Sequence, residues 1–265
     1  MTNCTKPLKR KNPMSKSEAP LHPLLREHLA ELRLTQIAEI YVEVLDEAAR
    51  KNASALDVLA TLVAAEITAR RERALQRRIA AARLPPRKTL EAYDFSFPKR
   101  LPKQKLLRLF DCEFVAQRQS AVLLGPTGVG KTHLLTALGY TACERGLSVR
   151  FTRVVDMLNT LTTAQLNGTL PKVLKTYTQP ALLLLDELGY LPIDKRGADL
   201  MFQVVAARYE SGSIVITTNR AFRDWGKTFD VDNALATAMI DRLMHHGEVV
   251  LIQGDSYRLK DKPSE

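Results

Sequence analysis

The sequence predicts an α/β fold built on a five-stranded, mostly parallel sheet and preceded by a small all-helical domain. Three observations carry that prediction. Short apolar runs of strand length recur from Ser120 onward, with helical patterns between most of them. A glycine-rich loop follows the first of these runs and opens a helix. Ahead of Pro85 the apolar residues instead recur at spacings of three and four, the period of amphipathic helices.

Taken in order, residues 1–19 (MTNCTKPLKRKNPMSKSEA) are polar, basic and poor in aliphatic side chains, and read as a disordered tail. The helical pattern starts at Leu21. Leu34, Ile37, Tyr41 and Leu45 make one stripe, which Asn52-Ala-Ser-Ala interrupts. Ser54 with Asp57 then forms a capping box. A second helix runs through Leu59, Leu62, Val63 and Ile67 into Arg70, Arg71, Arg73, Arg77 and Arg78. It stops before Leu84-Pro85-Pro86, because proline cannot continue a helix and extends the residue ahead of it. Residues 20–84 are therefore a helical N-terminal domain, and 85–115, with prolines at 85, 86, 98 and 102, a connector. The remaining domain, at 116–262, holds the strand candidates 121–124, 148–151, 181–185, 213–216 and 249–252. A helix spans Thr132 to Glu144, with Gly146 as its stop. No internal repeat is present.

Composition narrows the function classes. The hydrophobic content of 45% suffices for a buried core. Cys4, Cys112 and Cys143 are too scattered for a disulfide framework or a zinc site, and Cys143 is expected to pack on its helix. No apolar run reaches the length of a membrane span and no secretory signal opens the chain, so a cytoplasmic location without membrane contact is expected. The formal net charge is +10, and it is unevenly placed. Residues 67–108 hold thirteen Lys/Arg against three acids, and the first nineteen residues are basic as well. A polyanionic partner fits that distribution.

GPTGVGKT, from Gly125 to Thr132, satisfies the phosphate-loop pattern fully and in the required strand–helix frame. Gly125, Gly128 and Gly130 let the loop wrap, and with Pro126, Thr127 and Val129 present backbone N–H groups to phosphate oxygens. Lys131 neutralises the β- and γ-phosphates of ATP, and Thr132 offers its hydroxyl to Mg²⁺. Asp186 ends the leucine strand LLLLDE at the edge where such sheets bind ligands, and is the second Mg²⁺ candidate. Glu187 is placed to polarise the attacking water, which favours hydrolysis over binding alone. After the next strand, Asn219 of TTNR either bridges that water to the γ-phosphate or caps a turn.

This order of motifs resembles the AAA+ P-loop NTPases. Together, GPTGVGKTHL, LLLLDELGYLP, RYESGSIVITTNR, WGKTF, IDRLMHH and GDSYRLK resemble the IstB-type transposition helper ATPases, relatives of the DnaC helicase loaders. The resemblance implies an ATPase that assembles into a homo-oligomer through ATP at subunit interfaces. It makes Asn219 the sensor-1 residue, and Arg242 the arginine finger reaching a neighbouring subunit's ATP. From sequence alone, Arg242 equally suits a surface salt bridge. Arg258, in SYR, matches a second phosphate sensor, though the chain ends seven residues later, too soon for the helical lid of many relatives.

For DNA, the resemblance points to the helices between the second and third strands, where Lys172 and Lys175 can meet phosphates. Arg70, Arg73 and Arg77 share one face of the basic helix and form the other candidate surface, which could also dock an acidic protein. With no base-reading motif, double-stranded DNA is expected to bind with little sequence preference. The implied function is that of a helper that assembles on target DNA with ATP, serves a cognate transposase and disassembles on hydrolysis. The alternative is a DnaC-like replicative helicase loader.

Overall fold

A computed structural model describes residues 21–229 and 233–257. The tail at 1–19 and Arg258 lie outside these residues. The chain divides into two compact units, Met1–Ala74 and Leu75–Glu265. The division falls inside one long helix.

The first unit holds α1 (Leu21–Glu31), α2 (Thr35–Lys51) and the front of α3 (Ala55–Ala82). Asn52 closes α2 in the left-handed conformation, and Ser54 and Asp57 exchange backbone-to-side-chain hydrogen bonds at the start of α3. Tyr41 is the buried centre of α2, and its hydroxyl meets His22 and Arg26 of α1. The start of α2 is closed by a long-range acceptor: Glu66 of α3 takes the N–H groups of Gln36 and Ile37 at 2.8 and 3.2 Å.

The second unit contains the end of α3, then α4 (Lys103–Phe110) and α5 (Glu113–Ala116). The rest alternates: β1 (Ala121–Leu124), α6 (Lys131–Glu144), β2 (Val149–Arg153), α7 (Val154–Leu166), α8 (Leu170–Thr178), β3 (Leu182–Leu188), α9 (Lys195–Arg208), β4 (Ser213–Thr218), α10 (Trp225–Thr228), α11 (Asn233–Met244) and β5 (Glu248–Leu251). The strand order is β2-β3-β4-β1-β5, and every pairing is parallel. The mostly parallel sheet of the sequence reading is thus wholly parallel among its named strands.

Side chains on a strand alternate between faces, so the leucines of β3 serve two cores. Leu182 and Leu184 join the cluster of α4, α5 and α6; Leu183 and Leu185 join that of α7, α9 and α11. Burial on both faces explains why this strand reads as an unbroken apolar run. Cys143 is fully buried on α6 as expected, and burial pushes its thiol up to about 11. Among the described residues no helix is long and apolar enough to cross a membrane.

Candidate nucleotide site

The loop 125–130 connects β1 to α6 at the edge of the sheet where the strands end. Gly128 and Gly130 adopt φ of +87° and +88°, a region that side chains rarely enter. Space forbids side chains there too. A Cβ on Gly128 would strike Ser256, and one on Gly130 would lie 2.6 Å from the ring of Tyr93. The loop is therefore shaped by contacts on both flanks as well as by its own glycines.

Lys131 opens α6 and is only 5% exposed. Its ammonium donates to the carbonyls of Gly125 and Pro126 at 2.8 and 2.7 Å, which holds it over the loop. Thr132 donates to Asp186 Oδ1 at 3.1 Å, so the two residues expected to hold Mg²⁺ already touch. The same oxygen accepts from Thr217 of β4, whose hydroxyl also receives the backbone N–H of Glu187 at 2.9 Å. Glu187 sits at φ +64°, the left-handed region, where β3 and β4 slip in register between Leu185 and Leu188. This local turn lets neighbouring acids diverge: Asp186 is 2% exposed and bonded inward, while Glu187 lines the open cavity. Asn219 follows β4, and its Oδ1 is buried without a hydrogen-bond partner among the described residues. Asn219 is not among the residues that line the cavity at the loop, and an orphaned buried acceptor is a place for a water or ligand to bond.

The loop, Glu187 and Thr217 open on a cavity of about 380 Å³. Its opposite wall comes from the connector, through Lys88, Tyr93, Asp94 and Phe97. Tyr93 donates to the Val129 carbonyl at 2.9 Å, and burial, with the charge of Asp94, pushes its phenol up to about 12. The rim is closed by Tyr257, which bonds the Gly128 carbonyl and meets Phe97 edge-on at 4.9 Å. Size, phosphate-facing amides, a buried ammonium and the Thr132–Asp186 pair suit a nucleoside triphosphate with Mg²⁺. Sequence reasoning missed Thr217 and the aromatic wall. The alternation Tyr93, Phe95, Phe97 in an otherwise polar stretch is the signal that marked that wall.

Arg242 lies elsewhere. It shares a cleft with Ser120 and Gly212, which precede β1 and β4, so it stands at the edge of the sheet opposite the loop. Its guanidinium rests 4.8 Å over the Phe202 ring and donates to Ala238 O of its own helix. Among the described residues it makes no ion pair. The DNA candidates also divide. Arg70 and Arg73 both pair with Glu66, at 2.9 and 3.1 Å, and bond the Arg33 carbonyl and the Thr35 hydroxyl. They brace the cap on α2 with side chains that stay about half exposed. Arg77, Lys172 and Lys175 are exposed.

Comparison with known proteins gives one picture. A family model described as IstB-like ATP binding protein matches residues 27–264. The putative ATP-binding protein of insertion sequence IS5376 from Geobacillus stearothermophilus is 36% identical over 90% of this chain and 94% of its own length. That of IS21 from Pseudomonas aeruginosa is 38% identical over 88% of each. Among solved structures, AMPPCP-bound DnaA from Aquifex aeolicus superimposes with a TM-score of 0.55 at 25% identity, over 67% of this chain and 54% of that one. The DnaC helicase loader shares the fold, with a TM-score of 0.50 at 23% identity over 62% of this chain and 96% of that one. The second unit has the AAA+ P-loop fold.

Proposed function

The chain belongs to the family of IstB-like ATP binding proteins, and from that premise we propose that it is the ATP-dependent DNA-binding helper of an insertion-sequence transposase. It assembles on target DNA with ATP, presents that DNA to its cognate transposase and comes apart on hydrolysis. One observation carries the reading: Lys131, Thr132, Asp186 and Glu187 gather at one edge of the sheet, and Arg242 stands at the other. A neighbouring subunit would close that set, so assembly and hydrolysis control each other.

Within one chain, Lys131 and the loop amides hold the phosphates, and Glu187 takes up the attacking water. Thr132 and Asp186 hold Mg²⁺, which neutralises charge on the phosphates when bound. Asn219, with its free buried oxygen, fits the bridge between water and γ-phosphate. Arg242 stabilises the transition-state charge across the subunit boundary. Lys172 and Lys175 supply one set of DNA phosphate contacts, and the basic stretch of α3, with Arg70, Arg73 and Arg77, supplies another. The relatives named as insertion-sequence proteins match about nine-tenths of the chain, N-terminal helices included, which favours the transposition helper over a helicase loader.

The test is particle size on duplex DNA with and without ATP. The parent chain should form large complexes only with ATP, and Lys131→Ala should form none. Equal assembly by Lys131→Ala would overturn the reading.

A further inference from the structure

Two buried arginines on the same face of the sheet are treated very differently. Arg208 of α9 is 1% exposed and its Nε has no hydrogen-bond partner, but the rest of its guanidinium is well bonded. Its two terminal nitrogens donate to the carbonyls of Tyr177, Thr178, Pro180, Ala181 and Ser213 at 2.7 to 3.1 Å. Arg150 of β2 is 8% exposed, and its Nε has no hydrogen-bond partner. Its guanidinium lies 5.8 Å from the centre of the Tyr177 ring. Burial and the like charge of Arg83 lower its pKa, and the Tyr177 side chain offsets them only in part. Arg208 has five carbonyls where Arg150 has the Tyr177 side chain, and a buried cation so sparsely bonded is costly.

A cavity of about 530 Å³ surrounds this group, at the outer edge of the sheet where β2 has no further strand beside it. Arg83 and Arg153 also line it. The carboxylate among its lining residues is Asp156, and both its oxygens are already engaged by Arg153, at 2.7 and 3.0 Å. Three guanidiniums against one carboxylate leave the cavity net positive. Arginine's planar fork matches the oxygens of a phosphate, and the hydroxyls of Thr160 and Thr176 add neutral partners at the rim.

We propose that this cavity, which shares no lining residue with the one at the glycine-rich loop, is a second phosphate-binding site, in which Arg150, Arg83 and Arg153 grip a phosphate group. The phosphate comes from a nucleic-acid backbone or from a free nucleotide. The first source rests on the DNA-binding reading above; the second does not.

The experiment uses the full-length chain with Arg150→Met and Arg83→Gln, a fluorescein-labelled duplex and mant-ATP. With a backbone phosphate, both variants lose about tenfold in duplex affinity. Each then loses about one from the slope of log affinity against log salt, with nucleotide stoichiometry unchanged. With a free nucleotide, the parent binds two mant-ATP per chain, Lys131→Ala keeps one, and Arg150→Met removes the other. Either result supports the site. Arg150→Met should also melt at or above the parent temperature, because a sparsely bonded buried cation has been removed; a clear fall would make Arg150 a structural tie and overturn the proposal. Arg83 is exposed, so Arg83→Gln keeps the fold and reads the site independently. If Lys172→Ala with Lys175→Ala weakens duplex binding while Arg83→Gln and Arg150→Met do not, the DNA reading stands and this site falls. If the parent binds no duplex and one nucleotide per chain, both fall.

Discussion

The two edges of the parallel sheet are built to different ends. Where the strands finish, the loop, Lys131, Thr132, Asp186 and Thr217 are knitted together by direct hydrogen bonds, and Glu187 is left facing an open cavity. Where the strands begin, Arg242 stacks on Phe202 and makes no ion pair among the described residues, although Glu210 lines the same cleft. The first edge is a preorganised cluster and the second a half-buried cation that forms no ion pair among the described residues. On the proposed function, the contrast means that one chain holds a site for binding a triphosphate and leaves the one for cleaving it to be completed by a neighbour. The length of the strands separates Arg242 from Asp186 and Glu187 of its own chain, as the proposed service to a neighbour requires.

Substitutions can break this contrast. The largest effect is expected at the far edge. Arg242→Ala should lower the ATPase rate by about 10³-fold while leaving mant-ATP affinity of the isolated chain within about twofold. Equal loss of binding and turnover would show that Arg242 acts through the fold of its own chain. At the near edge, Thr217→Val removes the hydroxyl that holds both Asp186 and the Glu187 amide. Turnover should fall about tenfold or more with little change in nucleotide affinity, because the acids lose position and not charge. An unchanged turnover number would remove Thr217 from the account.

The smallest effect is expected in the N-terminal helices. Burial opposes the charge on Glu66, yet the hydrogen bond from Arg70 and the amides of Ile37 and Gln36 hold its carboxyl below the ordinary range. A depressed carboxylate stabilises the fold above its unfolded pKa of about 4.3 and loses that contribution as pH falls through its folded value. Hydrogen-exchange protection at Gln36 and Ile37, corrected for intrinsic rates, should therefore be steady near neutrality and drop in acid below about pH 4. Glu66→Gln should flatten that dependence. A parent profile that is already flat would contradict the cap.

Much of this was legible in the sequence, and the limits have physical causes. The strands were readable because burial on both faces demands unbroken apolar runs, and the loop because phosphate wrapping demands glycines at set positions. The alternation of the faces of LLLL could be inferred; the slip that turns Glu187 from Asp186 could not, since it depends on pairing with β4. Tyr93 lies 36 residues before the carbonyl it bonds, and no local period reports such a contact. Arg70 and Arg73 stood in the sequence as a basic face. Their spacings of four and seven from Glu66 also encode an ion-pair cluster, and the fold uses that relation to close α2. The position of Arg242 across the sheet follows from how α11 packs, which sequence alone left open between finger and salt bridge.

The central claim is that each hydrolytic site is shared between two chains. Lys131→Ala lacks a working loop but keeps Arg242, and Arg242→Ala has the converse defect. The most direct measurement is the ATPase rate of the two variants mixed in equal amounts on duplex DNA, against each alone. The account predicts that the inactive variants regain a substantial fraction of parental activity on mixing. A mixture as inactive as its components would contradict it.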